Sequence, residues 1–157
     1  MATPEEAFVK ATRARAKVYH YLYEELLSEL GEEKAEEIFS KAIYKYGIDN
    51  SNVFSDRSRE SAGAFAGEFV KDPIGRSVFS QTILTGDKDR AVIEMKNCPL
   101  VQQWLEIGLP PEKVRRLCDI AHQVDFGTIE GKGFNLKFPT RISYGEGSCV
   151  LEISRRE

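Results

Sequence analysis

Residues 19–47 have the sequence YHYLYEELLSELGEEKAEEIFSKAIYKYG, which decides the first half of the fold. Apolar side chains recur in it every three or four residues, which is the spacing of one face of an α-helix. Gly31 divides the pattern and Gly47 closes it, and glycine commonly ends helices in a left-handed conformation. The stretch therefore predicts two amphipathic helices that end at Gly31 and at Gly47.

Three residues near the N-terminus mark the start of the first helix. Thr3 and Glu6 have the spacing of a capping box, and Pro4 suits the first helical position. A helix this long and amphipathic is compatible with a homo-oligomer, although a monomer could bury the same apolar face against its own core.

Helical patterns continue beyond residue 47 with interruptions. Residues 58–70 and 100–107 carry apolar side chains at helical spacing. Pro111 opens a further helix, which the glycines from residue 127 onward are expected to break into a loop. Residues 73–90 fit either a strand or a short helix, so their structure stays open.

Strand patterns come late in the chain. Residues 90–97, 136–144 and 149–153 alternate apolar and polar side chains, and the glycines at 145 and 147 suit a hairpin turn between the last two segments. Because helices come first and strands cluster late, we predict an α+β fold. N-terminal helices would pack on one face of a small antiparallel sheet that ends in a C-terminal β-hairpin.

Length and composition indicate one globular domain over residues 1–157, with 41% hydrophobic and 30% charged residues. The net charge of −3 argues against nucleic acid as a partner. No apolar run approaches the ~20 residues of a membrane helix, and the acidic N-terminus does not resemble a signal peptide. Three widely spaced cysteines are typical of free thiols, so a cytoplasmic protein is expected.

One helix carries a candidate catalytic constellation of Cys118, His122 and Asp125. Their i, i+4 and i+7 spacing places the three side chains along one line of the helix. An imidazole beside a thiol favours the thiolate, and a carboxylate can orient the imidazole. The alternative is structural, with a cysteine filling space, a surface histidine and an aspartate near a helix end.

Cys98 and Cys149 could join this constellation. Cys149 shares a strand face with apolar residues and should point inward, and Cys98 directly precedes a proline. Core packing is the alternative for both thiols. We expect no cofactor and no metal. The alternative is zinc or another thiolate-bound metal held by Cys98, Cys118, His122 and Cys149, although the spacing does not match a zinc module.

Several sequence blocks resemble the L-2-amino-thiazoline-4-carboxylic acid hydrolase family. They are Asn97-Cys98-Pro99, the stretch LCDIAHQVD at residues 117–125, and the stretch GEGSC at residues 145–149. The resemblance covers about residues 90–155. More distantly, the fold is similar to vinyl-reductase-like ligand-binding domains and their transport-protein relatives.

The resemblance implies a hydrolase that opens a small cyclic amidine, a thiazoline bearing a carboxylate, to a carbamoyl-cysteine. Cys118 or Cys149 would be the nucleophile, with His122 as acid and base and Asp125 as its orienting group. The substrate is a small molecule, and its expected contacts are Cys98, Phe126, Tyr144 and a cation for the carboxylate, either Arg141 or Lys137.

The alternative function is a small-ligand or metal-binding module without catalysis. Aromatic residues are dense near the last helix and the hairpin, and they could line a pocket for an apolar or metal-bound ligand. These residues are Phe126, Phe134, Phe138 and Tyr144.

Overall fold

The computed structural model describes residues 1–157 as an α+β fold, as predicted. Short 3₁₀ turns occupy Ser51–Val53, Asp56–Arg59 and Ile142–Tyr144. The helices and strands in chain order are α1 Pro4–Leu30, α2 Glu32–Asn50, α3 Ala62–Phe69, α4 Pro73–Phe79, β1 Gln81–Gly86, β2 Arg90–Met95, α5 Pro99–Ile107, α6 Pro111–Ala121, α7 Gln123–Gly131, β3 Phe134–Thr140 and β4 Cys149–Arg155.

The four strands form one antiparallel sheet in the order β1-β2-β4-β3. The C-terminal hairpin of β3 and β4 is therefore present, and β4 also pairs with β2 in a register that sets Met95 opposite Cys149. Alternate residues of β2 and β4 are fully buried, among them Ile93 and Leu151. This period-two burial is the expected result of covering one face of a sheet with helices.

Two hydrophobic cores make up the interior. The sheet core joins the buried face of the strands to α3 through Phe65 and to α7 through Ile129. The helical core joins α1, α2, α5 and α6 around the fully buried Trp104, whose indole N–H donates to the Ala16 carbonyl at 2.8 Å. Ile142 packs against both cores, so the two meet inside the molecule.

The start of α1 follows the predicted capping box. The Thr3 hydroxyl accepts the Glu6 N–H at 3.1 Å, and the Glu6 carboxylate accepts the Thr3 N–H at 2.8 Å. Gly31 separates α1 from α2 with φ 78° and ψ 169°, so its φ is positive as expected but its ψ lies outside the left-handed helical region. None of the helices is both long enough and apolar enough to cross a membrane.

Two predicted helix ends are wrong, at Gly47 and at Gly127. Helix α2 continues through Gly47 to Asn50, and α7 continues through Gly127 to Gly131. The two glycines meet where α2 and α7 cross. A Cβ on Gly127 would lie 2.2 Å from the Tyr44 carbonyl oxygen and 2.9 Å from the Gly47 Cα. Only glycine lets the two backbones approach this closely. Gly47 and Gly127 therefore allow the helices to pack together and do not end them.

The late strands also differ from the prediction. Residues 142–144 leave the sheet as a 3₁₀ turn, because β3 ends at Thr140. The pairing of β3 with β4 shifts between Lys137 and Thr140, next to Pro139, which has no N–H to donate to the ladder. The open segment 73–90 resolves into both a short helix and a strand. The helix expected to begin at Ser58 begins at Ala62.

We predict that Gly127→Ala destabilises the fold by roughly 1–3 kcal/mol, because the added methyl group overlaps backbone atoms of α2. Urea unfolding followed by circular dichroism measures the change. Gly67→Ala is the matched control. Gly67 is exposed within α3 with no atom within 4 Å of an added Cβ, so alanine there should stabilise by up to about 1 kcal/mol. Equal effects of the two substitutions would contradict the packing role.

Candidate active site

A cavity of about 150 Å³ lies where the two cores meet. Its lining includes Cys98, Cys118, His122, Asp125 and Cys149, which come from α5, α6, α7, β4 and the junction between α6 and α7. Cys118 belongs to the helical core and Cys149 to the sheet core, so contact between the cores brings the thiols together. The structure thus brings the five candidate residues to one cavity.

Three of these side chains form a hydrogen-bonded line. Nδ1 of His122 lies 2.9 Å from Oδ2 of Asp125, and Nε2 lies 4.0 Å from Sγ of Cys149. A carboxylate at Nδ1 holds the proton on that nitrogen and turns Nε2 toward the sulfur. Only 12% of the His122 side chain and 19% of the Asp125 side chain are exposed. The order carboxylate, imidazole, thiol is that of a nucleophilic triad.

A break in the helix at His122 sets up this line. His122 is both the C-cap residue of α6 and the N-cap residue of α7. Its N–H still donates to the Cys118 carbonyl at 2.9 Å. The Asp125 N–H then donates to the His122 carbonyl at 3.0 Å, a three-residue turn. This tightening differs from the predicted continuous helix, and it brings the Asp125 carboxylate beside the imidazole.

The surroundings raise the pKa of His122 well above its ordinary value near 6.5. Burial alone lowers this pKa, because a charged imidazolium loses hydration. The electrostatic effect of the Cys118 sulfur and hydrogen bonds to Asp125, Cys118 and Cys149 favour the charged ring and outweigh burial. The imidazolium is therefore the form expected at neutral pH, and it can stabilise a neighbouring thiolate.

The three thiols differ in their surroundings. Sγ of Cys149 accepts the Ile142 N–H at 3.3 Å in addition to facing Nε2. Cys118 is buried in the last turn of α6, where the helix dipole disfavours negative charge. Cys98 caps α5, and burial raises the pKa of its thiol to about 11, which keeps it protonated.

The predicted substrate contacts Arg141, Tyr144 and Phe126 do not line the cavity. Arg141 pairs with the Asp119 carboxylate, which also accepts the Tyr144 hydroxyl at 3.0 Å. Phe126 packs edge-on against Phe138 with ring centroids 5.6 Å apart. Because the strand ends at Thr140, the turn that follows lies on the surface of α6 and carries Arg141 and Tyr144 away from the thiols. The other candidate cation, Lys137, is exposed on β3.

The cation that does line the cavity is Arg15, which the sequence analysis did not single out. Tyr19, four residues later on α1, lines the same cavity. The sequence contains one weak signal that Arg15 faces the interior. On a helical projection of α1, Arg15 lies beside the buried residues Ala16 and Tyr23. Arg13 and Lys17 alternate with Arg15 in the sequence, and composition alone does not separate the three.

The alternative metal site is not preformed. No group of three or more histidine, cysteine, aspartate or glutamate side chains is arranged to hold a metal ion. Nδ1 of His122 is already bonded to Asp125, and the Cys149 sulfur is 4.0 Å from Nε2. The four proposed ligands share a cavity wall without converging on one point.

Comparison with known proteins identifies one family for this chain. The family model for L-2-amino-thiazoline-4-carboxylic acid hydrolase matches residues 11–153. No curated protein matches the chain.

Two solved structures share the fold at low sequence identity. Trafficking protein particle complex subunit 3 from Naegleria fowleri, covalently bound to palmitic acid, has a TM-score of 0.63 at 15% identity, over 94% of this chain and 96% of that one. The phenol-responsive sensory domain of the transcription activator PoxR, bound to phenol, has a TM-score of 0.56 at 14% identity, over 92% of this chain and 74% of that one.

We predict that His122 is an imidazolium at pH 7 and that Asp125→Asn lowers its pKa, because the substitution removes the carboxylate that stabilises the charge. Imidazole ¹⁵N NMR across a pH series measures this, and His20→Gln leaves a single histidine for assignment. A raised pKa in the folded state means that His122 stabilises the protein fully below about pH 6.5, and this stabilisation is lost as pH rises through the folded value.

Asp119→Asn is the control for that titration. Its carboxylate lies one turn from His122 but pairs with Arg141 and Tyr144, so its loss should move the His122 pKa far less. A neutral His122 ring at pH 7, or equal shifts in the two variants, would contradict the proposed line of hydrogen bonds.

Proposed function

The chain belongs to the L-2-amino-thiazoline-4-carboxylic acid hydrolase family, and we propose that it opens a small carboxylate-bearing cyclic amidine of that kind to a carbamoyl-cysteine. The observation that carries the proposal is the line of Asp125, His122 and Cys149 in the cavity wall. We assign Cys149 as the nucleophile, His122 as acid and base, and Asp125 as the residue that orients the imidazole.

A backbone contact favours Cys149 over Cys118 as the nucleophile. Both sulfurs contact the His122 imidazole, but only the Cys149 sulfur also accepts a backbone N–H, that of Ile142, which stabilises a thiolate. Cys118 lies in the last turn of α6, whose dipole opposes negative charge. We therefore assign Cys118 a supporting role, in which its sulfur contacts the imidazole and helps to keep it protonated.

The first step is attack by the Cys149 thiolate on the ring carbon between nitrogen and sulfur. A bond forms from Sγ to this carbon, the C=N electron pair moves to the ring nitrogen, and that nitrogen takes a proton from the His122 imidazolium. The ring carbon–sulfur bond then breaks with its electron pair on the ring sulfur, while the exocyclic amino group forms a C=N bond to the same carbon. The product is an isothiouronium joined to Cys149, and a thiolate is a better leaving group than an amide nitrogen.

The second step releases the product with water. Neutral His122 takes a proton from a water molecule whose oxygen bonds to the isothiouronium carbon. The carbon–Sγ bond breaks, its electron pair returns to Cys149, and the hydroxyl proton passes to the substrate thiolate. The result is a carbamoyl group on the cysteine nitrogen, a free product thiol, and the starting thiolate and imidazolium. No external cofactor enters the scheme.

The size of the cavity suits this substrate class. A cavity of roughly 150 Å³ accommodates a benzene-sized ligand such as the thiazoline ring, and the outer cavity that Arg15 and Asp125 also line gives room for the carboxylate. A long acyl chain such as palmitate needs far more space. The reactive thiols require reducing surroundings, so we place the protein in the cytoplasm.

A small-ligand binding module without catalysis is the second candidate. The cavity has room for one aromatic ring, and the PoxR sensory domain, which shares the fold, binds phenol. Simple binding of an apolar ring does not require the hydrogen-bonded line of Asp125, His122 and Cys149, and for that reason we favour the hydrolase. Binding of phenol without turnover of any thiazoline would support the second candidate.

We predict that Cys149→Ser lowers ring opening of L-2-amino-thiazoline-4-carboxylate by at least about a thousandfold, and that His122→Asn lowers it by roughly 10²–10⁴-fold. Release of the product thiol, measured with a thiol reagent and checked by mass spectrometry, reports turnover.

Cys118→Ser is the matched control, because it makes the same chemical change at the other sulfur near the imidazole. It should reduce turnover by less than about tenfold and shift its pH dependence, since its sulfur favours the imidazolium. Full activity in all three variants would end the proposal. Loss confined to Cys118→Ser would move the nucleophile to that residue.

A further inference from the structure

Two polar side chains of helix α1 line the cavity and take no part in the proposed thiol chemistry. Arg15 and Tyr19 are four residues apart on α1, and both line the cavity. Side chains at this spacing lie on the same helical face, so the guanidinium and the phenol hydroxyl can act on one ligand. Arg15 also lines a second, outer cavity of about 260 Å³ and therefore lies where the two cavities meet.

Arg15 lacks the partner that several other arginines of the protein have. Arg13 pairs with Glu106, and Arg116 and Arg141 pair with carboxylates. Arg15 takes part in no ion pair and no hydrogen bond, although it is the only lysine or arginine among the residues lining the inner cavity. A planar guanidinium at the mouth of a cavity, without an intramolecular acceptor, is suited to bind a carboxylate.

Tyr19 supplies a second free donor. Its hydroxyl makes no hydrogen bond within the protein, and its ring is held edge-on against Phe39 with centroids 5.2 Å apart. Burial raises the pKa of Tyr19, so its hydroxyl keeps its proton well above neutral pH. A protonated phenol can donate to an anion at every pH at which the thiol chemistry operates.

We propose that Arg15 and Tyr19 form the carboxylate-binding subsite of the cavity, so that the protein selects ring substrates bearing a carboxylate over their neutral analogues. The inference rests on the proposed function, and it replaces the contact expected from Arg141. Electrostatics gives the reason why a cation is needed at this subsite. The cavity already contains the Asp125 carboxylate and a thiolate, with one imidazolium between them. A further anion would be repelled from this lining unless a cation faced it.

The experiment uses binding of inert probes to the whole protein, so it does not depend on turnover. Trp104 is the only tryptophan, and it lines the cavity, so its fluorescence reports cavity occupancy. The probes are 2-aminothiazole-4-carboxylate, an aromatic analogue that resists hydrolysis, and the corresponding neutral carboxamide. Wild-type protein should bind the carboxylate more tightly than the carboxamide.

Arg15→Gln should weaken binding of the carboxylate by roughly 10- to 100-fold and leave the carboxamide nearly unchanged. Tyr19→Phe should weaken carboxylate binding by about tenfold or less. Arg13→Gln is the matched control on the same helix. Its side chain pairs with Glu106 and does not line the cavity, so both probes should bind it as they bind the wild type. In turnover, Arg15→Gln should raise KM with little change in kcat.

Unchanged preference for the carboxylate in Arg15→Gln would overturn the inference, and so would an equal loss in Arg13→Gln. The proposed hydrolase could still stand in both cases, because Cys149 and His122 are tested separately. The converse result is also informative. If the protein prefers the carboxylate, if this preference depends on Arg15, and if no ring opening is detected, the subsite is supported and the hydrolase is not.

Discussion

Backbone contact between α2 and α7 at Gly47 and Gly127 fixes the position of the imidazole and the carboxylate at the centre of the site. The helices approach so closely that neither residue can carry a side chain without overlap. The Thr128 hydroxyl adds a hydrogen bond of 3.2 Å to the Gly47 carbonyl across this contact. Because α7 is held there, its first turn and the preceding His122 are held as well, at the boundary between the two cores.

This placement surrounds the imidazole with protein groups and removes most of its contact with water. A charged ring with 12% of its side chain exposed is stable only if its partners are close, and Asp125 is 2.9 Å from Nδ1. The same low exposure strengthens each electrostatic contact to the ring. Three thiols of similar chemistry thereby acquire different roles. Cys149 contacts the imidazole and also accepts a backbone N–H, Cys118 contacts the imidazole from the C-terminal turn of α6, and Cys98 stays protonated.

Much of the fold and part of the site could be predicted from the sequence. Helical periodicity, period-two alternation and the spacing of Cys118, His122 and Asp125 are local patterns that survive folding. Residues whose role depends on distant contacts are misplaced by sequence patterns or missed altogether. Gly47 and Gly127 have the same local pattern whether they end a helix or allow one to pack on another, and Arg15 is distinguished from Arg13 only by the cavity that other elements build beside it. Alternation along the strand does not predict the position of Arg141, because β3 ends next to Pro139 and the chain then changes direction.

The claim that Cys149 is the attacking atom can be tested by trapping its adduct. Wild-type protein is mixed with L-2-amino-thiazoline-4-carboxylate, quenched with acid during turnover and digested with trypsin, which separates Cys149 from Cys118 and Cys98. We expect a mass increase of one substrate molecule on the peptide that contains Cys149, and no such increase in Cys149→Ser. Turnover with the Cys149 peptide unmodified and the same mass increase on the Cys118 peptide would contradict this claim.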